Sequence, residues 1–327
     1  MASEFDLIAR HFTPATLAPG AGVALGVGDD CALLAPRAGQ RVAVSVDTSV
    51  AEVHFPAAAP AEAIGHRALA VSLSDLAAMG AEARWCLMAL AMSDPDEAWL
   101  ADFARGFHAL CAATGTALVG GDVTGGELAI GVTVMGEVPP ALALTRRGAR
   151  VGDRIAVTGA LGGGAGGLVL WQRGERDLTH PLLQRYLRPQ PRLAAGQALR
   201  GLATAAIDIS DGLLADLAHV LAASGVGAHL DADALPLAEG LVAALGETAA
   251  RQAALSGGDD YELVVCLPAE HVSEARRRLA ELELALSVIG EVREAPGIGG
   301  VEAATARGWQ HFVSRGAPGA GSARGRP

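Results

Sequence analysis

The sequence predicts an α/β protein of two domains (α+β in the grouping of its strands). Three observations carry that prediction. Short apolar runs alternate with helix-length segments along the chain, as strands flanked by helices do. The 327 residues exceed what one hydrophobic core usually organises. A polar, turn-like stretch, RRGARVGD at 146–153, separates two such alternating halves. Domains are therefore expected at 1–140 and 141–314, with a disordered tail at 315–327 (RGAPGAGSARGRP). The composition is 51% hydrophobic but only 4% aromatic, so the core is aliphatic.

Residues 3–11 read as a helix with Ser3 as its cap and Asp6 at N3, and Pro14 to Gly26 as a connection. Val42–Val50 alternates as a strand, with Val42, Val44 and Val46 on one face and Ala43, Ser45 and Asp47 on the other. Residues 61–70 form a helix that runs into the apolar VSLSDLAAMG. Strands follow at 85–92, 117–121 (turning at Asp122) and 128–138, with a helix at about 96–114 capped by Asp94. The second half reads as a strand at 154–158, a glycine-rich loop at 159–167, a helix beginning near Leu168 and a helix at 192–200. A strand at 205–209 delivers Asp208 to a helix capped by Ser210 or Asp211 and running to about Ser224. Strands at 229–231, 261–267 and 288–292 and a helix at 269–283 complete it.

Acids recur where these apolar runs end. Asp29 and Asp30 sit in GVGDDCALL with no basic residue until Arg37, and Asp47, Asp75, Asp122 and Asp208 close four further apolar segments. One such acid is an ordinary turn, cap or strand-end residue; the repetition is what needs explaining. If they converge, each pair 4 Å apart repels by about 4 kcal/mol at an effective dielectric near 20. A divalent cation removes that cost. Oxygen donors without Cys or clustered His favour Mg²⁺ or Mn²⁺ over Zn²⁺, and Mg²⁺ is usually shared with substrate phosphates, which points to phosphoryl transfer.

Several classes are excluded or disfavoured. The net charge of −11 argues against a nucleic-acid partner. There is no lysine, hence no Walker-A, Schiff-base or general-base lysine. Cys31, Cys86, Cys111 and Cys266 form no CxxC pair and read as buried reduced thiols. No apolar run approaches the ~20 residues of a membrane span, and Glu4 and Asp6 stand where a signal peptide would be basic, so a cytoplasmic protein is expected. Gly162, Gly164 and Gly167 spell GxGxxG, but the dinucleotide fingerprint wants an acid about 20 residues on, and the region around Leu187 has none.

Seven ordered segments, GVGDDCALL, SVDTSVAEVHF, LAVSLSDLAAMGA, LVGGDVTGG, LTRRGARVGD, AIDISDGLLADL and SGGDDYEL, together resemble the thiamine-monophosphate kinase family. That family belongs to the superfamily of aminoimidazole-ribonucleotide synthetase and selenophosphate synthetase. The likeness runs from about Phe5 to Phe312. It implies Mg-assisted, direct in-line transfer of the ATP γ-phosphoryl to thiamine monophosphate, giving thiamine diphosphate, with no protein general base. It also implies a homodimer whose N-terminal sheets join in a barrel. Matched by position, it makes Asp30, Ser45, Val46 (through its carbonyl), Asp47, Asp75, Asp122, Asp208 and Asp211 the Mg²⁺ shell, with Asp47 and Asp75 most critical. Gly121, Asp122, Arg146 and Ser210 match nucleotide positions, and His54, Asp259 and Trp309 match positions around the thiamine moiety. The family often has Glu where this chain has Asp259, one methylene shorter. Two alternatives stay open: another ATP-dependent enzyme of the superfamily, or a non-catalytic sensor. A selenophosphate synthetase would carry a reactive Cys and a Lys in an N-terminal glycine-rich segment; here the first Cys is Cys31 and Lys is absent.

Overall fold

Two large sheets, besides a small two-stranded one, arise from these alternating runs in the computed structural model, which describes residues 4–13, 22–94 and 96–301. Ser3, Trp309 and the tail from Arg315 lie outside the described residues. The chain enters through α1 (Glu4–Leu7), which widens into a π-type turn at Ile8–Phe12 that buries Phe12 edge-on to Phe103. β1 (Val23–Leu25), at the end of the stretch read as a connection, pairs antiparallel with β2 (Leu33–Leu34), and Asp29, Asp30 and Cys31 lie between them. Cys31 is thus exposed where a buried thiol was expected, while Cys86, Cys111 and Cys266 are buried.

The first large sheet contains β3 (Arg41–Val50), β4 (Glu82–Met92), β5 (Ala117–Gly125) and β6 (Ala129–Val138), in the order β3-β6-β4-β5. Only the β4–β5 pair is parallel. Its inner face is covered by α2 (Ala61–Ala78) and α3 (Glu97–Thr114). The two helices approach backbone to backbone, since a Cβ on Gly65 would stand 2.1 Å from Phe103 O and one on Gly106 only 1.9 Å from Glu62 O. Asp96, not Asp94, caps α3, accepting from Ala98 N at 2.8 Å. α2 is eight residues longer than its sequence reading, so Asp75 stands on the last turn of a helix. Leu69, Ala70, Ser72 and Ser74 are all wholly buried and spread over more than one face, so no amphipathic period marks the helix. Asp122 likewise continues β5, opposite Ala89, where a turn was expected.

Residues 139–153 cross to the second unit without helix or strand, bonded to both sides: Leu144 N donates to Met79 O, and Ala206 N to Thr145 O. There β7 (Arg154–Thr158) leads into α4 (Gly163–Gln172), which starts five residues earlier than expected because its glycines are helical. α5 (Pro181–Leu187), unmarked in the sequence reading, begins on proline with His180 Nδ1 accepting from Leu182 N. α6 (Leu193–Ala198), β8 (Ala205–Asp208), α7 (Leu213–Ser224), β9 (Gly227–Leu230), α8 (Leu241–Leu245) and α9 (Glu247–Ser256) follow. The chain continues through β10 (Leu263–Leu267), α10 (Val272–Ala280), β11 (Leu286–Arg293) and β12 (Ile298–Gly299). The sheet order is β12-β9-β11-β7-β10-β8, antiparallel except for β12 on β9. Its core is aliphatic, with Ile155, Val157, Ile207, Leu213, Val264 and Ile289 fully buried or nearly so. The result is a two-domain α/β chain with mixed sheets, joined along α2.

Candidate functional site

The junction of the two units gathers the acids. Alternation along β3 turns Ser45 and Asp47 toward α2, where the Ser45 hydroxyl donates to the Asp75 carboxylate. One residue earlier on α2, Ser74 Oγ donates to Asp208 Oδ2 at 2.7 Å, tying the C-terminal end of β8 to the same helix. Asp208 is 5% exposed. Burial, then the charge of Asp75, pushes Asp208 up to about 7 against the Ser74 hydrogen bond, with Asp216 and Asp47 adding. Burial and Asp75 likewise lift Asp47 to about 6, opposed by the Ser72 hydroxyl. Asp47 Oδ2 is buried with no hydrogen-bond partner. Such an orphaned carboxylate oxygen is costly unless something cationic meets it.

A cleft of about 240 Å³ opens here, lined among others by Val44, Ser45, Asp75, Met79, Arg146 and Asp208. Arg146 is exposed and brings a guanidinium to a wall otherwise rich in carboxylates. The loop after β8 presents Ser210 and Asp211. Neither caps α7; Asp216, inside the helix, accepts from the backbone N–H groups of Ser210, Asp211 and Gly212 at 3.0, 3.0 and 3.1 Å. Burial and Asp211's charge lift Asp216 to about 7 against those three donors. Sequence reasoning passed over Asp216, although it lies inside the quoted ISDGLLADL.

Other expected residues stand apart. Asp30 is exposed between β1 and β2, its N–H bonded to Asp29 Oδ1 at 2.9 Å, and it does not line the cleft. Asp122 is exposed on β5, separated from β3 by two strands, and shares the outer sheet face with Ala89 rather than the inner face of Asp47. Gly121 has no room for a side chain, because a Cβ would stand 1.9 Å from Met88 O. The Val46 side chain is 63% exposed on the sheet's other face. His54 Nδ1 accepts from Val50 N at 2.9 Å and closes the turn after β3. Asp259 sits beside Ser210, its N–H bonded to Ser210 O, and its carboxylate takes 2.6 Å and 2.9 Å bonds from Arg67 and Tyr261.

The glycine-rich segment is filled from within. Asp260, buried, accepts from Gly162 N at 2.8 Å and Gly164 N at 3.3 Å, so these donors face a carboxylate of the chain itself. Glu262, fully buried, pairs with Arg192 and Arg185 and accepts from Thr158. These partners lie 70 to 104 residues away, beyond any local sequence signal.

The donor set suits a hard divalent cation: carboxylates and a hydroxyl, with one buried oxygen unsatisfied. Among the described residues no three His, Cys, Asp or Glu side chains close into a metal cage by themselves. An ion that keeps waters and borrows phosphate oxygens fits such a partial shell. No described helix is long and apolar enough to cross a membrane.

Comparison with known proteins agrees with this layout. Residues 28–138 match the family model for the AIR synthase related protein, N-terminal domain, and residues 150–302 that for its C-terminal domain. The thiamine-monophosphate kinase of Salmonella typhimurium is 43% identical over 294 residues, 88% of this chain and 90% of that protein. The crystal structure of thiamine-monophosphate kinase from Stenotrophomonas maltophilia superposes with a TM-score of 0.82 at 45% identity, covering 85% of this chain and 90% of that one. AaThiL complexed with AMPPCP and TMP superposes with a TM-score of 0.77 at 30% identity, covering 85% and 89%. The chain belongs to the thiamine-monophosphate kinase family of AIR synthase related proteins.

Proposed function

We propose that this protein transfers the γ-phosphoryl group of ATP to thiamine monophosphate, producing thiamine diphosphate and ADP. The observation that carries the reading is the cleft itself. Ser45 on β3, Asp75 on α2, Asp208 on β8 and Arg146 on the linking segment meet in one place, beside the unsatisfied oxygen of Asp47. A relative of the same fold complexed with AMPPCP and TMP supports the choice of co-substrates.

A terminal phosphate oxygen of thiamine monophosphate attacks the γ-phosphorus in line, and the bond to the β–γ bridging oxygen breaks as ADP leaves. That oxygen is already anionic near neutral pH, because a phosphate monoester's second pKa is about 6. No protein base is needed, and catalysis is positioning plus charge neutralisation. Mg²⁺, when bound, supplies that neutralisation at the phosphoryl oxygens. Asp47, Asp75, Asp208 and Asp211, with Ser45 and the Val46 carbonyl, would hold it. Asp30 and Asp122 belong to the set on the motif match alone. Arg146 donates to phosphate oxygens, while Gly121, Asp122 and Ser210 hold the nucleotide. His54, Asp259 and Trp309 surround the thiamine moiety, where a carboxylate and an aromatic face suit its cationic ring.

The same reading includes a homodimer. Val42, Val44, Val46 and Leu87 are 43%, 63%, 63% and 36% exposed on the bare face of the first sheet, whose edges are β3 and β5. A second copy's sheet closing a barrel would bury that face. The domain division at 140/141 and a cytoplasmic location complete the proposal.

The test is direct: purified protein with ATP, Mg²⁺ and thiamine monophosphate, followed by chromatography and ³¹P NMR. Thiamine diphosphate and ADP in equal amounts are expected. ATP turnover without thiamine diphosphate, or no turnover, would overturn the reading.

A further inference from the structure

α2 bonds to the C-terminal unit along its length: Glu62 to Arg188, His66 to Pro189 O, and two further contacts that bear on the site. Near its end, Ser74 bonds Asp208. Two turns earlier Arg67, 3% exposed, donates through Nη2 to Asp259 Oδ1 at 2.6 Å and through Nη1 to Tyr186 O. Its guanidinium carbon stands 4.9 Å from the Tyr186 ring centroid and 5.7 Å from that of Tyr261. The Tyr261 hydroxyl donates to the same Oδ1 at 2.9 Å, so both bonds land on one carboxylate oxygen and Oδ2 receives neither.

The segment carrying Asp259 is strained. Gly258, Asp259 and Tyr261 have φ of 69°, 59° and 51°, the left-handed region that non-glycine residues seldom enter. It persists because neighbouring residues are anchored to different elements. Asp259 N and Tyr261 N donate to Ser210 O and Ile209 O, Asp260 is held by Gly162 and Gly164, and Glu262 by Arg192. Arg67 is the anchor that comes from the other unit, on the helix that carries Asp75.

We infer that Arg67 is a positioning residue. Through α2 it holds Asp259 at a set separation from Asp75 and Asp208, and thereby fixes where the cationic heteroaromatic end of the phosphate acceptor sits. The eight helical steps from Arg67 to Asp75 span about 12 Å, so the helix acts as a spacer between the acceptor's two ends. This rests on the proposed acceptor and adds a residue that the motif comparison did not assign.

The test is steady-state kinetics of Arg67→Lys and Tyr261→Phe, each first checked by circular dichroism and melting. Arg67→Lys keeps the charge and loses the two-pronged contact. Its KM for thiamine monophosphate should rise about tenfold, while KM for ATP stays within about twofold and kcat within about threefold. Tyr261→Phe, which removes a single hydrogen bond to the same oxygen, should raise KM for thiamine monophosphate by about threefold with the same split. A merely structural Arg67 would move both KM values together. An unchanged KM for thiamine monophosphate, or equal rises for both substrates, overturns the inference. Should Arg67→Lys not fold, Tyr261→Phe decides by the same criterion. Wild-type protein that yields no thiamine diphosphate overturns the acceptor reading and this inference with it, whereas an active wild type with an unsplit variant overturns the inference alone.

Discussion

Asp47→Asn should make the metal-free protein more stable while disabling it. Burial and the charge of Asp75 carry the Asp47 carboxyl from 3.8 to about 6. By linkage, that displacement corresponds to about 3 kcal/mol of destabilisation when Asp47 is ionised in the fold. The folded value lies above the unfolded one, so the native state holds the extra proton between pH 3.8 and about 6. Stability falls as pH rises through that window, and the full cost is present above it. Asparagine removes the charge but leaves an amide where Oδ2 has no partner, which costs about 1–2 kcal/mol. The net gain at neutral pH is then about 1–2 kcal/mol, or a melting temperature higher by about 2–6 °C. Calorimetry in EDTA at about pH 7.5 and about pH 4 reads this directly. The gain should be present at the higher pH and absent or slightly reversed at the lower one, where the wild-type carboxyl regains its proton. With Mg²⁺ and both substrates the variant should lose about 10²-fold or more in kcat/KM. A variant less stable than wild type in EDTA at neutral pH would refute the reasoning, because Asp47 would then be satisfied in the metal-free fold.

Arg146→Met should raise KM for ATP by about tenfold or more, with the melting temperature nearly unchanged, since Arg146 is exposed. Gly121→Ala should destabilise the first unit by about 2 kcal/mol or more, because the new Cβ meets Met88 O; thermal melting measures it. Val44→Asp combined with Val46→Asp should yield a monomer in sedimentation velocity, since both side chains lie on the exposed sheet face. Arg192→Met should cost about 2–4 kcal/mol in urea unfolding, because Glu262 is fully buried and loses its closest cationic partner.

The strands were legible where one face alternates against the other. Val42–Val50 announced both the half-buried, inward-facing Ser45 and Asp47 and the valine face opposite. The acids that end apolar runs were visible too, and Asp47, Asp75 and Asp208 do come together. What stayed hidden had physical reasons. α2 is buried on nearly every side, so its sequence lacks the period of a surface helix, and Asp75 looked like the end of an extended run. Loop charges concealed their own partners: Asp216, inside α7, satisfies the backbone N–H groups of Ser210, Asp211 and Gly212, where Ser210 or Asp211 was expected as the helix cap. Asp260 fills the glycine segment that spells GxGxxG. Arg67 and Glu262 bond residues 192 and 70 positions away. Asp30 and Asp122 share the acid pattern without reaching the cleft: Asp30 lies between β1 and β2 and Asp122 on the outer face of its sheet, and the pattern encodes neither placement.

The most direct measurement is anomalous diffraction from crystals grown with Mn²⁺, a non-hydrolysable ATP analogue and thiamine monophosphate. Manganese peaks are expected within coordination distance of Asp47 Oδ2, Asp75 and Asp208, bridging to the analogue's phosphate oxygens. Peaks confined to other sites, with these three carboxylates untouched and the nucleotide elsewhere, would contradict the account.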